Sequence, residues 1–323
     1  MAELDRQIAE LYGDIACFGI KHADTNQYWE DGTPAYRVSQ IGGAITLDTG
    51  DLAFMTTKRV APKSAINELL AFTQQCTNSV AKLQSMGVHV WDTQHYPDGT
   101  LGKTYGYQYG TDRGHKVSFN KISNKACEAL GTHFKLMREE LGMGDCSYVM
   151  LSQFEYVIWQ LIDNPHSTRI MTDIWNIKDL PEMILEPCVF NSQWIVLGDR
   201  LNCIVKSRSS DAFLGLPFNL AQWSTLHHLI AHITGYKVGT FEFQFGDVHL
   251  YDRHMPAAQA VIDNFNKQPE LDAPHLEFDE GINWLNARFG ENFRLVDYSH
   301  HGIIKAPLCT NKKEMEAKCV DKD

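Results

Sequence analysis

At 323 residues and 44% hydrophobic composition, the chain is long enough to bury a substantial core, in one large domain or two small ones. Its 40 acidic residues against 29 basic ones argue against broad binding of a phosphate backbone, so nucleic acid is not an expected partner, although a local arginine cluster can still hold one small anion. The polar N-terminus MAELDRQIAE, the lack of a bilayer-length apolar stretch and eight cysteines without a CxxC pair point to a cytoplasmic protein with reduced thiols. A secreted, membrane-spanning or zinc-stapled chain is not expected.

In chain order, residues 1–25 read as a helix and 34–48 as a strand region rich in β-branched residues and glycine. The run 61–86 carries apolar residues at helical spacing, with Ile66, Leu69, Leu70 and Phe72 on one side. Pro97-Asp98-Gly99 signals a turn. Residues 111–150 are more polar and are expected to form an inserted helical excursion. A helix from Tyr148 to Leu161 should stop before Asn164-Pro165. Further on, 169–176, 192–197 and 201–207 read as strands, 220–234 as a helix and 240–245 as a strand. Such mixing without regular βαβ alternation predicts an α+β architecture, a mixed sheet with packed helices. We expect a single domain over 1–323, with an extension after about residue 310.

Three segments carry chemistry. Cys188 in LEPCVF follows a proline between strand-like segments; a lone cysteine is usually a core thiol, and a nucleophile needs positive charge nearby. Arg208 in KSRSSD is the candidate cation. The stretch 208–219, RSSDAFLGLPFN, joins an arginine and two serines, which together suit phosphate oxygens. Asn219 at its end offers a donor and an acceptor, matching the N3–H and O4 edge of uracil; the structural alternative is a helix N-cap. In GDVHLYDRH, Asp247, His249 and Tyr251 alternate and so share one face of a strand, where His249 and Tyr251 can hold a sugar hydroxyl. His249 and His254 are off helical i,i+4 spacing and imply no third ligand, so no metal is expected.

The order PC, RSSDAFLGLPFN, GDVHLY resembles the thymidylate synthase family. MTTKR (55–59), NELLAF (67–72), VWD (90–92), LGKTYG (101–106), NPHSTRIMTDIWN (164–176) and IKAP (304–307) extend the resemblance over nearly the whole chain, excluding 111–150 and the final residues. The resemblance implies a thymidylate synthase-like fold in which a sheet face forms a homodimer interface with shared active sites. It also implies one-carbon transfer from 5,10-methylenetetrahydrofolate to C5 of a pyrimidine nucleoside monophosphate. In that reading Cys188 adds to C6, Glu68 orders water and relays protons near O4, and Tyr105 assists removal of the C5 proton. Arg208 and Ser209 hold the 5′-phosphate, with Arg169 lent across the dimer. Asn219 reads the base, and His249 and Tyr251 the sugar. Trp91, Asp211, Gly215 and Phe218 contact the folate.

Four departures from the family pattern stand out. Thr168 precedes Arg169 where two arginines are usual. Gly32 falls near an expected phosphate-loop arginine, with Arg37 as a possible substitute. Val189 follows the nucleophile in place of histidine, and the chain runs on past IKAP as NKKEMEAKCVDKD. The last two bear on the product, because a dry site finishes with hydride and a methyl group whereas a wet one finishes with hydroxymethyl. Thymidylate synthesis from dUMP is the main expectation; a dUMP or (d)CMP 5-hydroxymethylase is the alternative.

Overall fold

The computed structural model describes residues 3–48, 50–132 and 148–311. Its first helix, α1 (Glu3–Phe18), stops well short of the expected residue 25, and strand β1 (Ile20–Trp29) follows at once. The break falls at Gly19, where a Cβ would lie 2.4 Å from the Ile15 carbonyl oxygen and 2.6 Å from Val38. Strands β2 (Pro34–Ile41) and β3 (Ala44–Leu47) occupy the region read as strand. The run 61–86 is two helices, α2 (Pro62–Thr73) and α3 (Val80–Ser85). Between them Cys76 adopts a left-handed φ of 48°, and the Thr77 amide turns back to the Ala71 carbonyl at 3.0 Å. Apolar periodicity continued across a turn that only the backbone reveals. Pro97-Asp98-Gly99 is a turn, as read, with Gly99 at φ 77°.

The segment expected as a polar helical excursion is corrected where it is described. After the short helix α4 (Tyr105–Tyr109) it contains β4 (His115–Ser118), α5 (Asn124–Leu130) and β5 (Tyr148–Leu151), with β4 and β5 paired antiparallel. Val117, Ala126, Leu130 and Leu151 are buried in the main core, so a polar average concealed a few well-placed apolar residues. Residues 133–147, and the extension from 312 onward, lie outside the described residues. The next helix, α6 (Gln153–Asp163), starts later than read because Ser152 and Glu155 form a capping box that fixes its first turn.

Strands β6 (Met171–Asp173), β7 (Val189–Leu197), β8 (Arg200–Asp211) and β9 (Lys237–Tyr251) build the centre of the sheet, each in a region read as strand. Helix α7 (Gly215–Thr234) connects β8 to β9, which therefore run parallel. Helix α8 (Met255–Lys267) and a small pair, β10 (His275–Phe278) with β11 (Phe293–Val296), precede β12 (Cys309–Asn311). The main sheet runs β12-β1-β2-β9-β8-β7-β6, with β3 also on β9, an α+β arrangement.

Along β8 and β9 the side chains alternate between two environments. Leu201, Cys203 and Val205, with Phe241, Phe243 and Phe245, are buried in the hydrophobic core. Asn202, Ile204 and Lys206, with Glu242 and Gln244, point to the opposite face and are half-exposed. α7 is buried around most of its circumference, as expected of a helix apolar on nearly every side.

Candidate active site

Four elements bring the chemistry together. Glu68 rides on α2, Tyr105 begins α4, Cys188 immediately precedes β7, and Asn219 projects from α7. They line one cavity of about 180 Å³ with Trp91, Leu69, Phe72, Leu185, Val189 and Gln222 among the other walls. Asn219 is no N-cap: α7 begins at Gly215 with Pro217 in its first turn, which places Asn219 inside the helix.

Cys188 is positioned from both sides. Its backbone N–H donates to the Tyr105 hydroxyl oxygen at 3.1 Å, and its carbonyl accepts from the Arg208 amide at 2.9 Å. A register shift between Val189 and Asn191 follows directly, a bulge that re-aims the chain at the end of the ladder. Arg208 donates through its guanidinium to the carbonyls of Pro187 (3.0 Å) and Glu186 (2.8 Å) and reaches the Cys188 sulfur at 3.8 Å. Burial pushes the thiol pKa above its ordinary value and Arg208 opposes that rise, while Glu186 and Asp211 add to it. Cys188 therefore rests as a thiol, and Arg208 is the cation that favours its thiolate.

Glu68 is buried, and each carboxylate oxygen has a side-chain donor: Trp91 Nε1 at 2.6 Å and Gln222 Nε2 at 2.6 Å. Burial raises its pKa to about 7 against the pull of both bonds. A carboxyl so poised can take or give a proton near neutral pH. Tyr105 stacks on Phe72 at 5.1 Å, and Trp91 meets both rings edge-on at 5.9 Å. Tyr105 holds a φ of 22°, a strained conformation for a bulky residue. Its neighbour must be glycine, because a Cβ on Gly106 would lie 1.9 Å from the Thr77 carbonyl oxygen. Burial, then the nearby Cys188, push the Tyr105 hydroxyl pKa well up.

Of the other predicted residues, Arg208, Ser209 and Asp211 lie on β8, His249 and Tyr251 on β9, and Gly215 and Phe218 on α7, all outside the cavity wall. Register pairs Ser209 with Asp247 and Asp211 with His249, while β2 sets Arg37 opposite Tyr251. His249 Nδ1 and Asp247 Oδ1 are 2.5 Å apart, and the His249 ring meets Tyr251 edge-on at 5.1 Å. Asp211 Oδ1 accepts from the amides of Phe213 (3.0 Å) and Leu214 (3.2 Å), which shapes the turn into Gly215 and Phe218. Burial favours the protonated acid at Asp211, but His254 and the Leu214 amide hold its pKa below the ordinary value. Arg169 sits exposed on the loop before β6 and lines no part of the cavity.

Two groups escaped the sequence reading. Gln222 lies three residues after Asn219, one turn along the same helix face, a spacing that would have flagged it once Asn219 was placed in the helix. Lys58 donates to the Phe213 carbonyl from a buried position, and desolvation lowers its pKa to about 8. Its segment is anchored by Asp5, whose carboxylate accepts from the hydroxyls of Thr56 and Thr57, each at 2.7 Å.

The model of the family described as thymidylate synthase matches residues 7–310. The thymidylate synthase of Bacillus phage phi3T is 34% identical over 306 residues, 93% of this chain and 96% of the relative. Thymidylate synthase 1 of Bacillus subtilis (strain 168) shows the same identity over the same shares. The solved structure of the thermostable thymidylate synthase A from Bacillus subtilis superposes with a TM-score of 0.78 at 32% identity, covering 95% of this chain and 99% of that one. A matched span that holds the thiol, the buried carboxylate and the α7 asparagine in one cavity, with relatives matched almost end to end, identifies this chain as a member of the thymidylate synthase family.

Proposed function

We propose that this chain transfers a one-carbon group from 5,10-methylenetetrahydrofolate to C5 of dUMP and completes it as a methyl group, acting as a single domain within a homodimer. The observation that carries the reading is one cavity holding a thiol flanked by Arg208 and a carboxyl held by Trp91. C5 of uracil is not nucleophilic until C6 is attacked; addition of Cys188 Sγ to C6 turns the ring into an enolate. Asn219 on the cavity wall suits the uracil edge, and Glu68 relays protons near O4. Tyr105 assists loss of the C5 proton. Methylenetetrahydrofolate supplies the carbon and the reducing hydride.

Arg208 and Ser209 hold the 5′-phosphate, completed by Arg169 from a second copy of the chain. His249 and Tyr251 hold the sugar, and Trp91, Asp211, Gly215 and Phe218 receive the folate. The half-exposed sheet face that carries Ile204 and Gln244 supports the dimer, since a sheet face of mixed apolar and polar residues is a ready interface. The walls Phe72, Trp91, Leu185, Val189 and Trp223 support the methyl product, because an apolar lining disfavours an ordered water at C5. A cytoplasmic setting fits the free thiols of Cys17, Cys76, Cys188 and Cys203. No described helix is long and apolar enough to cross a membrane, and the net charge of −11 disfavours nucleic acid.

Incubation with C5-tritiated dUMP and methylenetetrahydrofolate tests the reading. Tritium should pass to water in step with dihydrofolate and a methylated nucleotide, and Cys188→Ala should abolish the release. A hydroxymethyl nucleotide accompanied by tetrahydrofolate would overturn the methyl assignment.

A further inference from the structure

Gln222 makes two contacts that no general packing role requires. Its Nε2 donates to Glu68 Oε2 at 2.6 Å and to the Ala65 carbonyl oxygen at 3.1 Å. Ala65 lies one turn before Glu68 on α2, so an amide carried by α7 bridges the backbone and the carboxylate of a different helix. Both neighbours are acceptors, which dictates that the amide presents its NH₂ to them and uses both hydrogens. Trp91 Nε1 takes the other carboxylate oxygen, so the plane of the Glu68 carboxyl is set by two donors from two separate segments. Gln222 also lines the cavity, one helical turn beyond Asn219.

We propose that Gln222 is a positioning residue for the reaction: anchored on Ala65, its amide holds the Glu68 carboxyl in one orientation beside Asn219 and controls how readily Glu68 exchanges a proton with the cavity. The inference deepens the proposed function and rests on Glu68 being the proton relay. A donor aimed at a carboxylate favours the charged form, opposing the burial that raises Glu68. A glutamine that merely fills space would leave the titration of its neighbour unchanged.

Two variants separate these roles. Gln222→Met keeps the length and removes both donors; Gln222→Glu keeps the shape and exchanges a donor for a second carboxyl. Infrared titration of the Glu68 carboxyl in the ligand-free protein, assigned by its loss in Glu68→Gln, reads the effect directly. The Glu68 midpoint should rise by about one to two pH units in Gln222→Met, the size expected on losing a hydrogen bond to a charged group. In Gln222→Glu the two carboxyls should titrate as a coupled pair, with one midpoint well above the parent's. With dUMP and methylenetetrahydrofolate, the limb of the kcat profile that disappears in Glu68→Gln should move upward by the same amount, while KM for dUMP changes by less than about threefold. A Glu68 midpoint equal to the parent's in Gln222→Met, or a pair in Gln222→Glu with no midpoint above the parent's, overturns the proposal. That readout needs no turnover, so an inactive parent would defeat the dUMP reading and leave the role of Gln222 to be decided by the titration.

Discussion

Glu68 and Arg208 both belong to the surroundings of Cys188, yet they are held in opposite ways. Glu68 is 7% exposed, and both its oxygens are bonded by side chains from other segments. Arg208 is exposed, and its guanidinium leans on the backbone carbonyls of Glu186 and Pro187 beside the cysteine it serves. The difference follows from how deeply each group is buried. A carboxyl buried in an apolar cavity must have its partners in place, because a buried polar group without them is costly. An arginine at the water side needs less: Arg208 is aimed by those carbonyls and by the Trp175 ring, 5.5 Å from its guanidinium. The carboxyl side is finished within one chain; the arginine side is open to solvent, and Arg169 is exposed on the loop before β6.

The sharpest way to break this comparison is Glu68→Gln. It keeps the shape and removes the proton, so kcat should fall by about 10²-fold or more, in line with the loss of a general acid–base group, while calorimetry finds dUMP affinity little changed. The same variant should reveal the burial energetically. Folded Glu68 keeps its proton up to about pH 7, whereas its ordinary value is 4.5. Its contribution to stability is therefore full below about pH 4.5 and is lost as pH rises through 7. Relative to parent, Glu68→Gln should gain about 3 kcal/mol between those limits in urea unfolding, and a flat difference would mean that burial does not set this titration.

Arg208→Ala should weaken dUMP binding by about 1.5–3 kcal/mol, the usual worth of a hydrogen bond to a charged group, and should lower kcat as well, because it removes the cation that favours the Cys188 thiolate. Its exposure also predicts salt sensitivity: dUMP affinity of the parent should decline with ionic strength while kcat at saturation holds nearly constant. The smallest effect is expected for Tyr105→Phe, which leaves the Cys188 amide without its acceptor and should cost about 1 kcal/mol in unfolding free energy. No loss there would mean that the amide finds another partner.

Much of this was legible in the chain. Strands β7, β8 and β9 were readable because burial on one face imposes a period of two, helix α7 because its apolar run is too long for a strand, and RSSDAFLGLPFN with GDVHLY carried the resemblance that pointed to Cys188. Less legible were the ends of elements. Gly19 stops α1 through a close approach to Ile15 and Val38, and Val38 belongs to a different strand. Residues 74–79 interrupt a continuous helical pattern by a left-handed Cys76, and α6 starts where Ser152 and Glu155 cap it. Each boundary depends on a backbone conformation or a partner that periodicity does not encode.

The site divides along the same line. Sequence alone determined which residue types the chemistry has at its disposal: a thiol, an arginine in a serine-rich strand, a carboxyl on an apolar helix and an asparagine after Leu-Pro-Phe. It could do so because these identities lie in short contiguous motifs. Tertiary structure alone decided that Gln222 belongs with Glu68, that Cys188 rests as a thiol under opposing influences of burial and Arg208, and that Tyr105 receives the Cys188 amide. Those facts rest on contacts between residues 20 to 154 positions apart and on how deeply the intervening fold excludes water.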